Sequence, residues 1–475
     1  MLLKSGAESN VLNSRGETPL YLACRPTGGA VNVHIVQTLL ENGAVPNMSM
    51  PCEDSSPLSF YRSVMPPLSV AASCGNTELT TLLIKFGARL DQCDKLGRTA
   101  LHFAIDSDDI CFARHSKSPK NGTSTVEILL SAGADANVMD STGASPLYLA
   151  CKKGKTEVVK LLLSRGASPN SGTTDMHPIH TACRGQHYDS VKLLLEYKAD
   201  VTVRDTNGKT ALHRALEFTT RRSDNISDLS QLLLDKGADI DAESDDGETP
   251  FYVACSNGLT PVVAKMLECG AKVDGNSGKK LPLIAACTNK HTSVVQLLLT
   301  NGADPNAIEK GDVDRYRRTL SLHIATADGN SELVELLLKH GASIDVVDTK
   351  GNTALHHAIQ QRSTLARYSG KVVASSNAKS VLDILLENKA DVNVVNNSGE
   401  TPIGESCFKR TARRCLKDAA VIRRKPEQGI TASCRVSIAE RGTCRLVVEA
   451  RSRPKPSVDE LLSQLKTQTA AVRRC

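Results

Sequence analysis

The sequence contains no tryptophan, and aromatic residues make up only 3% of its 475 positions. Burial in a folded core must therefore depend on Leu, Val, Ile and Ala, because the largest apolar side chains are scarce. Long hydrophobic runs are also missing. No stretch of about 18 apolar residues occurs, so we expect no membrane insertion. The N-terminal segment MLLKSGAESN lacks the apolar core of a secretory signal.

The cysteines show no compact disulfide pattern. Fifteen are scattered along the chain, and many directly follow Ala. This distribution favours reduced thiols, so we expect a cytoplasmic or nuclear protein.

Charge divides the chain into two parts. Residues 403–475 hold 17 Lys and Arg against 7 Asp and Glu, although the whole chain carries a net charge of only +6. A weakly acidic body therefore precedes a basic tail, and each part needs its own interpretation.

One phrase recurs along the acidic body. SRGETPLYLAC begins at Ser14, STGASPLYLAC at Ser141 and DDGETPFYVAC at Asp245. Five of the ten spacings between successive copies of its Pro slot are 32 or 33 residues, and the others are longer. The residues in this slot are Pro19, Pro67, Ala100, Pro146, Pro178, Ala211, Pro250, Pro282, Ser321, Ala354 and Pro402. A period of this size indicates a repeat array.

Each unit predicts two short helices and a turn. Pro146 suits a first helical position, where its missing N–H needs no partner. Thr156 is expected to cap a second helix over 157–165, which Gly166 can end in a left-handed conformation. Asn207-Gly208 then favours a tight hairpin. Such a pair of helices cannot bury its apolar face alone, so neighbouring units must stack.

The period and the TPLH-like phrase resemble the ankyrin repeat family over roughly residues 1–406. The resemblance implies an all-α solenoid with short β-hairpin fingers. Three sets of residues depart from the family pattern. Tyr replaces the family His at 21, 148 and 252, and Ala replaces Pro at 100, 211 and 354. Lys198 and Lys389 replace the Gly that ends the second helix, and a left-handed Lys costs about 1 kcal/mol or more.

We therefore predict a partial unit at 1–15, ten repeats over 16–401 and a tail at 402–475. Insertions are expected near 48–65, 106–124, 217–227, 309–318 and 360–378. Three of these insertions lie between the two helices of units that have the TALH form. Insertions in solenoids gather on one face, which is often the binding face, although neutral loop growth explains them equally well.

No catalytic constellation can be assembled from the sequence. Five histidines, at 102, 180, 213, 323 and 356, occupy the TPLH slot, where the family resemblance implies a structural hydrogen bond. The five Ala-Cys pairs place Cys in an equivalent slot, which favours small packing residues over nucleophiles. We expect no enzyme, no metal site, no cofactor and no small-molecule substrate.

The family resemblance implies protein partners, held by the finger tips and the concave side of the first helices. The candidate contacts in this register are Lys95, Leu96, Arg98, Ser141, Thr142, Lys152, Lys153, Arg184, Thr206, Asn207, Lys209, Asp245, Asp246, Glu248, Ser256, Asn257, Lys350 and Asn352. The resemblance also implies a modification, because asparagines that close ADVN-like turns can be hydroxylated. Asn393 fits this pattern best, and Asn137 fits it in part.

The tail is basic and lacks the repeat pattern. Its clusters KRTARR and RRK suit nuclear import or non-specific contact with nucleic acid, but no aromatic residues are interleaved to stack on bases. We expect disorder or a mis-joined reading frame, with a short docking helix at 458–466 as the alternative.

Three hypotheses about function remain open at this stage. The first is an intracellular scaffold or adaptor that binds other proteins. The second is a substrate-recognition subunit of a ubiquitin ligase that docks through the tail. The third is the recognition fragment of a larger enzyme or channel.

Overall fold

The chain forms helix pairs, as the period predicts. The computed structural model describes residues 5–14, 16–26, 31–48, 65–106, 122–217, 225–276, 280–309, 320–360 and 380–402, together with two strands between 433 and 449. Ten pairs of helices lie within these ranges. Their bounds are α1 Pro19–Cys24, α2 Val33–Glu41, α3 Pro67–Ser73, α4 Thr77–Lys85, α5 Ala100–Ile105, α6 Gly122–Ser131, α7 Pro146–Lys152, α8 Thr156–Ser164, α9 Pro178–Arg184, α10 Tyr188–Glu196, α11 Ala211–Glu217, α12 Ile226–Asp235, α13 Pro250–Ser256, α14 Thr260–Glu268, α15 Pro282–Thr288, α16 Thr292–Thr300, α17 Ser321–Ala327, α18 Ser331–Lys339, α19 354–360 and α20 Val381–Glu387.

The chain divides into two compact units, Met1–Pro282 and Leu283–Cys475. In the first unit, each first helix contacts the first helix of the next pair, from α1 to α13. The second helices contact one another in the same way, from α2 to α14. In the second unit, α16 contacts α18 and α18 contacts α20. Stacking of pairs therefore buries the apolar face that one pair would leave open.

Helix α8 shows how the core is built. An apolar face of five residues is predicted here, and four of them are buried while Leu161 is half-buried. The buried four are Val158, Val159, Leu162 and Leu163. The prediction that Thr156 caps this helix was wrong. Lys155 occupies the cap position without a side-chain hydrogen bond, and the Thr156 hydroxyl lies 3.2 Å from the Ser190 hydroxyl of the next pair.

The fingers between pairs are tight turns. In one of them, the Asp205 N–H donates to the Lys209 carbonyl at 3.0 Å, and the Gly208 N–H donates to the Asp205 carbonyl at 2.9 Å. Among the described fingers, strand pairing is limited to a single bridge between Cys93 and Thr99. The predicted hairpins are therefore present as hydrogen-bonded turns with almost no ladder.

The prediction of left-handed lysines is confirmed. Lys198 has a φ of 66° and Lys389 a φ of 67°, beside glycines such as Gly166 at 87° in the same slot of other pairs. Gln186 and Lys290 are left-handed as well, at the end of the first helices, and neither was predicted.

Two strands occur within the tail, where no strand was predicted. β1 Ser433–Ala439 pairs antiparallel with β2 Thr443–Glu449, with Val436 opposite Leu446. The possible helix at 458–466 and most residues of the five expected insertions lie outside the described residues.

Candidate protein-binding surface

In three repeats, a histidine forms hydrogen bonds both to the start of the first helix and to the following finger. The Thr99 N–H donates to Nδ1 of His102 at 3.2 Å, so the ring carries its proton on Nε2. Nε2 then donates to the Ala144 carbonyl of the following finger at 3.2 Å. His213 and His356 repeat this arrangement with Thr210 and Thr353. The expected structural role of this histidine is therefore confirmed.

Two histidines make only half of this arrangement. His180 and His323 donate from Nε2 to the carbonyls of Val203 and Val346, each at 3.0 Å. Their Nδ1 atoms are buried without a partner, because His177 and Leu320 stand where the other units have Thr. Burial lowers the pKa of both rings, for His323 to about 4.

Tyrosine units use a different cap. The Tyr148 N–H donates to the Ser145 hydroxyl at 3.1 Å, and the Tyr21 N–H donates to the Thr18 hydroxyl at 3.0 Å. The hydroxyl that contacts the ring in histidine units therefore accepts the backbone N–H in tyrosine units. Replacing the family His thus leaves the helix start satisfied.

The Ala-Cys cysteines are packing residues. Cys24, Cys151, Cys183, Cys255 and Cys287 are all fully buried. Burial raises the pKa of each thiol, for Cys24 and Cys287 to about 12. A thiol held in this state is a poor nucleophile, in agreement with the sequence interpretation.

An aspartate or asparagine organises most of the finger turns. Oδ1 of Asp140 accepts the N–H groups of Thr142 and Ala144 at 2.8 and 3.0 Å. Asp94, Asp205, Asp348 and Asn396 do the same in their own fingers. The side chains between these anchors are free to differ without changing the turn.

Half of the predicted contact residues project into solvent from the tips. The exposed ones are Lys95, Leu96, Ser141, Thr142, Thr206, Asn207, Asp245, Asp246 and Lys350. They include positive, negative, hydroxyl, amide and apolar groups on one repeated backbone.

Other predicted contacts are engaged inside the protein. Arg98 binds Asp94 and lies 4.5 Å from the Phe103 ring centroid. Asn352 is only 5% exposed, where it accepts from Asn396 at 3.0 Å. Asn257 donates to the Leu216 carbonyl at 2.7 Å, and Ser256 beside it is half-buried. These side chains stabilise the repeats, so we leave them out of the proposed contact set.

A charged network occupies the sixth and seventh helix pairs. Lys209 lies 2.5 Å from Glu217 and 3.1 Å from Glu248, while Arg214 binds both Glu217 and Asp205. Burial acts to lower the pKa of Lys209, but the hydrogen bonds to the two glutamates prevail and raise it. Lys209 and Glu248, both predicted as partner contacts, are thus neutralised within the protein.

The first-helix face carries two exposed cations. Lys152 and Arg184, both candidate contacts, end α7 and α9 and are exposed. Lys153, also predicted, instead binds Asp106 at 2.7 Å. Asp106 precedes Lys153 by 47 residues, so no local spacing in the sequence could have shown this pair.

The two candidate hydroxylation sites differ in environment. Asn137 donates to the Gly166 carbonyl at 3.0 Å and accepts from the Ser168 N–H at 2.7 Å, which joins two fingers. Asn393 has an exposed side chain with no hydrogen bond to any described residue. Of the two, Asn393 is the more accessible amide.

The described part of the chain offers little for small ligands. An open cavity of about 410 Å³ lies among α2, α4 and α6, lined by residues such as Val33, Thr81 and Ile128. No cluster of three or more His, Cys, Asp or Glu residues suited to a metal occurs among the described residues. Within the same ranges, every helix is too short or too polar to cross a bilayer.

Comparison with known protein families finds the same repeats that the helix pairs show. The family model for ankyrin repeats in three copies matches residues 115–205, 174–241, 220–309 and 307–368, and the model for a single ankyrin repeat matches 15–50 and 350–397. The matched segments omit 51–114, in which the structure has α3, α4 and α5.

Two curated relatives and one solved structure are similar to parts of this chain. Human transient receptor potential cation channel subfamily A member 1 is 28% identical over 317 residues, which are 62% of this chain and 25% of the channel. Human ankyrin repeat and SOCS box protein 16 is 32% identical over 219 residues, 45% of each protein. The human ASB11 ankyrin repeat domain aligns with a TM-score of 0.41 at 25% identity, covering 52% of this chain and 99% of that domain.

The chain thus spans less than half the length of either of these curated relatives. The family models nevertheless cover more than half of it, and the described helices pair at the spacing that those repeats require. This chain belongs to the ankyrin repeat family.

Proposed function

We propose that this chain is a protein-binding scaffold whose contact surface consists of the exposed finger tips and the first-helix face. The observation that carries the proposal is the fixed backbone of the fingers. Asp140, Asp205 and Asp348 hold the same turn, while the exposed side chains between them differ in charge and polarity. A constant frame with varied side chains suits recognition of particular partners.

Interface size sets how much of the chain a partner must cover. A stable interface uses about 20–30 residues on each side. With about five exposed positions per repeat, a partner has to span four or more repeats. The first unit alone contains seven helix pairs, which is enough for such an interface. No catalytic step is part of this proposal.

Site-specific photo-crosslinking of the full chain in cells tests the surface. A photoreactive amino acid at Lys95 or Thr206 reports on the tips, and one at Lys160 or Lys192 reports on the second helices α8 and α10. We expect protein adducts from the two tip positions. Adducts confined to the second helices would place the binding surface elsewhere.

A role as substrate receptor of a ubiquitin ligase is the second candidate. It is supported by 32% identity to a relative whose name includes a SOCS box. Proximity labelling with the full chain and with residues 1–402 separates the two roles. Loss of cullin-type partners on truncation supports the receptor role, whereas unchanged partners contradict it.

A further inference from the structure

Lys152 and Arg184 occupy equivalent positions in adjacent repeats, at the C-terminal ends of α7 and α9. Both are exposed, and neither has an ion-pair partner among the described residues. Three other basic side chains near the first helices of the first unit are in salt bridges: Arg25 with Glu17 at 3.1 Å, Lys153 with Asp106 at 2.7 Å and Arg214 with Glu217 at 2.7 Å. The fourth and fifth pairs therefore present two exposed cations in equivalent positions, without a salt bridge to a described residue.

Tyr148 joins the two cations into one site. The Lys152 ammonium lies 5.9 Å from the centroid of its ring, and Arg184 is close enough to act on its phenol electrostatically. Two finger carboxylates also act on this phenol, but both accept from hydroxyls. Asp140 accepts from Thr142 at 2.6 Å, and Asp175 accepts from Thr206 at 2.5 Å. Neither forms a salt bridge with Lys152 or Arg184 within the described structure.

We propose that Lys152 and Arg184 bind an extended acidic segment of a protein partner, one carboxylate to each cation. Neighbouring helices pack about 8–10 Å apart. A segment in the extended polyproline II conformation advances about 3.1 Å per residue and returns every third side chain to the same face. The two carboxylates therefore stand about three residues apart in the partner. This inference rests on the proposed function and names the chemistry of the partner at one part of that surface.

Selection of random 16-residue peptides displayed on phage, with the full chain as bait, tests the proposal. We expect enriched peptides to carry Asp or Glu pairs three residues apart. Their binding, measured by fluorescence anisotropy with synthetic copies, should weaken about tenfold or more in the double variant K152E/R184E. It should also weaken as salt rises, because exposed charge pairs are screened.

The chain offers a matched control. Lys160 and Lys192 are exposed on the second helices of the same two pairs, so K160E/K192E changes the net charge equally. We expect this variant to bind the selected peptides within about twofold of the unaltered chain, because the changed charges lie on other helices. Equal weakening in both double variants would indicate a general charge effect and overturn the proposal.

Four other outcomes also overturn it. The first is enrichment of peptides without acidic pairs, and the second is no enrichment at all. The third is binding of a 20-nucleotide uridine RNA that depends on Lys152 and Arg184. The fourth is a loss of self-association in K152E/R184E, measured by light scattering. That result would mean that a second copy of the chain, and not an acidic partner, binds at Lys152 and Arg184. Tip crosslinks that persist in any of these cases would leave the scaffold proposal standing.

Discussion

At the scale of single residues, asparagine before a finger joins neighbouring repeats. Asn10, Asn47, Asn137 and Asn306 each donate to a carbonyl and accept an N–H in the next repeat. Asp345 occupies the same slot and accepts from the Asp391 N–H at 2.8 Å, but a carboxylate has no proton to donate. The amide is therefore the side chain that satisfies both groups.

Changing Asn137 to Asp is expected to lower the free energy of unfolding by about 1–2 kcal/mol, because the Gly166 carbonyl loses its donor and faces a negative charge. Urea denaturation followed by circular dichroism measures the effect. Asn393→Asp is the matched control, since its side chain has no described partner, and we expect a change within about 0.5 kcal/mol. Equal losses in the two variants would contradict this account.

Lys198→Gly is expected to raise the free energy of unfolding by about 0.5–1 kcal/mol. Relief of the left-handed Cβ contact exceeds the entropy that glycine adds to the unfolded chain. Lys198→Ala keeps the Cβ, so it should show no gain in the same denaturation measurement. A gain from the alanine variant would mean that the lysine side chain, and not its backbone, carries the strain.

The position within the repeat predicts that Gln186 and Lys290 are left-handed. Gly154 and Gly258 follow the Pro slot by eight residues, and so do Gln186 and Lys290. Gly185 lies one position earlier, and its φ of −79° is that of an ordinary right-handed residue. The fixed length of the first helix decides which residue turns left-handed, whatever its side chain.

At the scale of elements, finger tips associate in couples. The Ser141 N–H donates to the Leu96 carbonyl at 2.8 Å, the Asp245 N–H to the Asn207 carbonyl at 3.0 Å, and the Asn397 N–H to the Lys350 carbonyl at 2.9 Å. Each couple begins at a TALH unit. The sequence showed that these units differ from the others, but it could not show the contact, because the contact depends on where the next finger lies.

Gly351→Ala is expected to cost clearly more than Gly399→Ala in free energy of unfolding. Both glycines have positive φ, at 75° and 78°, so both variants pay the left-handed cost of about 1 kcal/mol. A Cβ on Gly351 would also meet the Asn397 backbone nitrogen at 2.8 Å, whereas one on Gly399 meets no described atom within 4 Å. We expect a further loss of at least about 1 kcal/mol for Gly351→Ala in urea denaturation. Indistinguishable losses would show that the tips move apart at no cost.

At the scale of the whole molecule, buried histidines make stability depend on pH. His213 in the first unit and His323 in the second are almost fully buried, and burial lowers the pKa of each from 6.5 to about 4. The unfolded chain then binds more protons than the folded one between these values, so stability falls as pH falls from about 6.5 to 4. The loss is at most about 3 kcal/mol for each histidine.

Urea midpoints at pH 7.5, 6.0 and 4.5 measure this dependence. His213→Gln should lower stability at pH 7.5 but flatten the pH dependence, because the titrating ring is gone. His34→Gln, on the exposed side of α2, should keep the slope of the unaltered chain. The account fails if His213→Gln leaves the slope unchanged. The unfolding of each unit should be followed separately, since repeat arrays often depart from two-state behaviour.

The paired tips also bear on how this chain behaves at high concentration. Rows of turns with unpaired amides and carbonyls would offer templates on which other chains could add strands. In the three couples, the carbonyl of one tip accepts a hydrogen bond from the amide of the next tip. These backbone groups are therefore not available for strand addition by another protein or by a second copy of the chain. At these six groups, a partner or a second copy of the chain can contact the tips only through side chains.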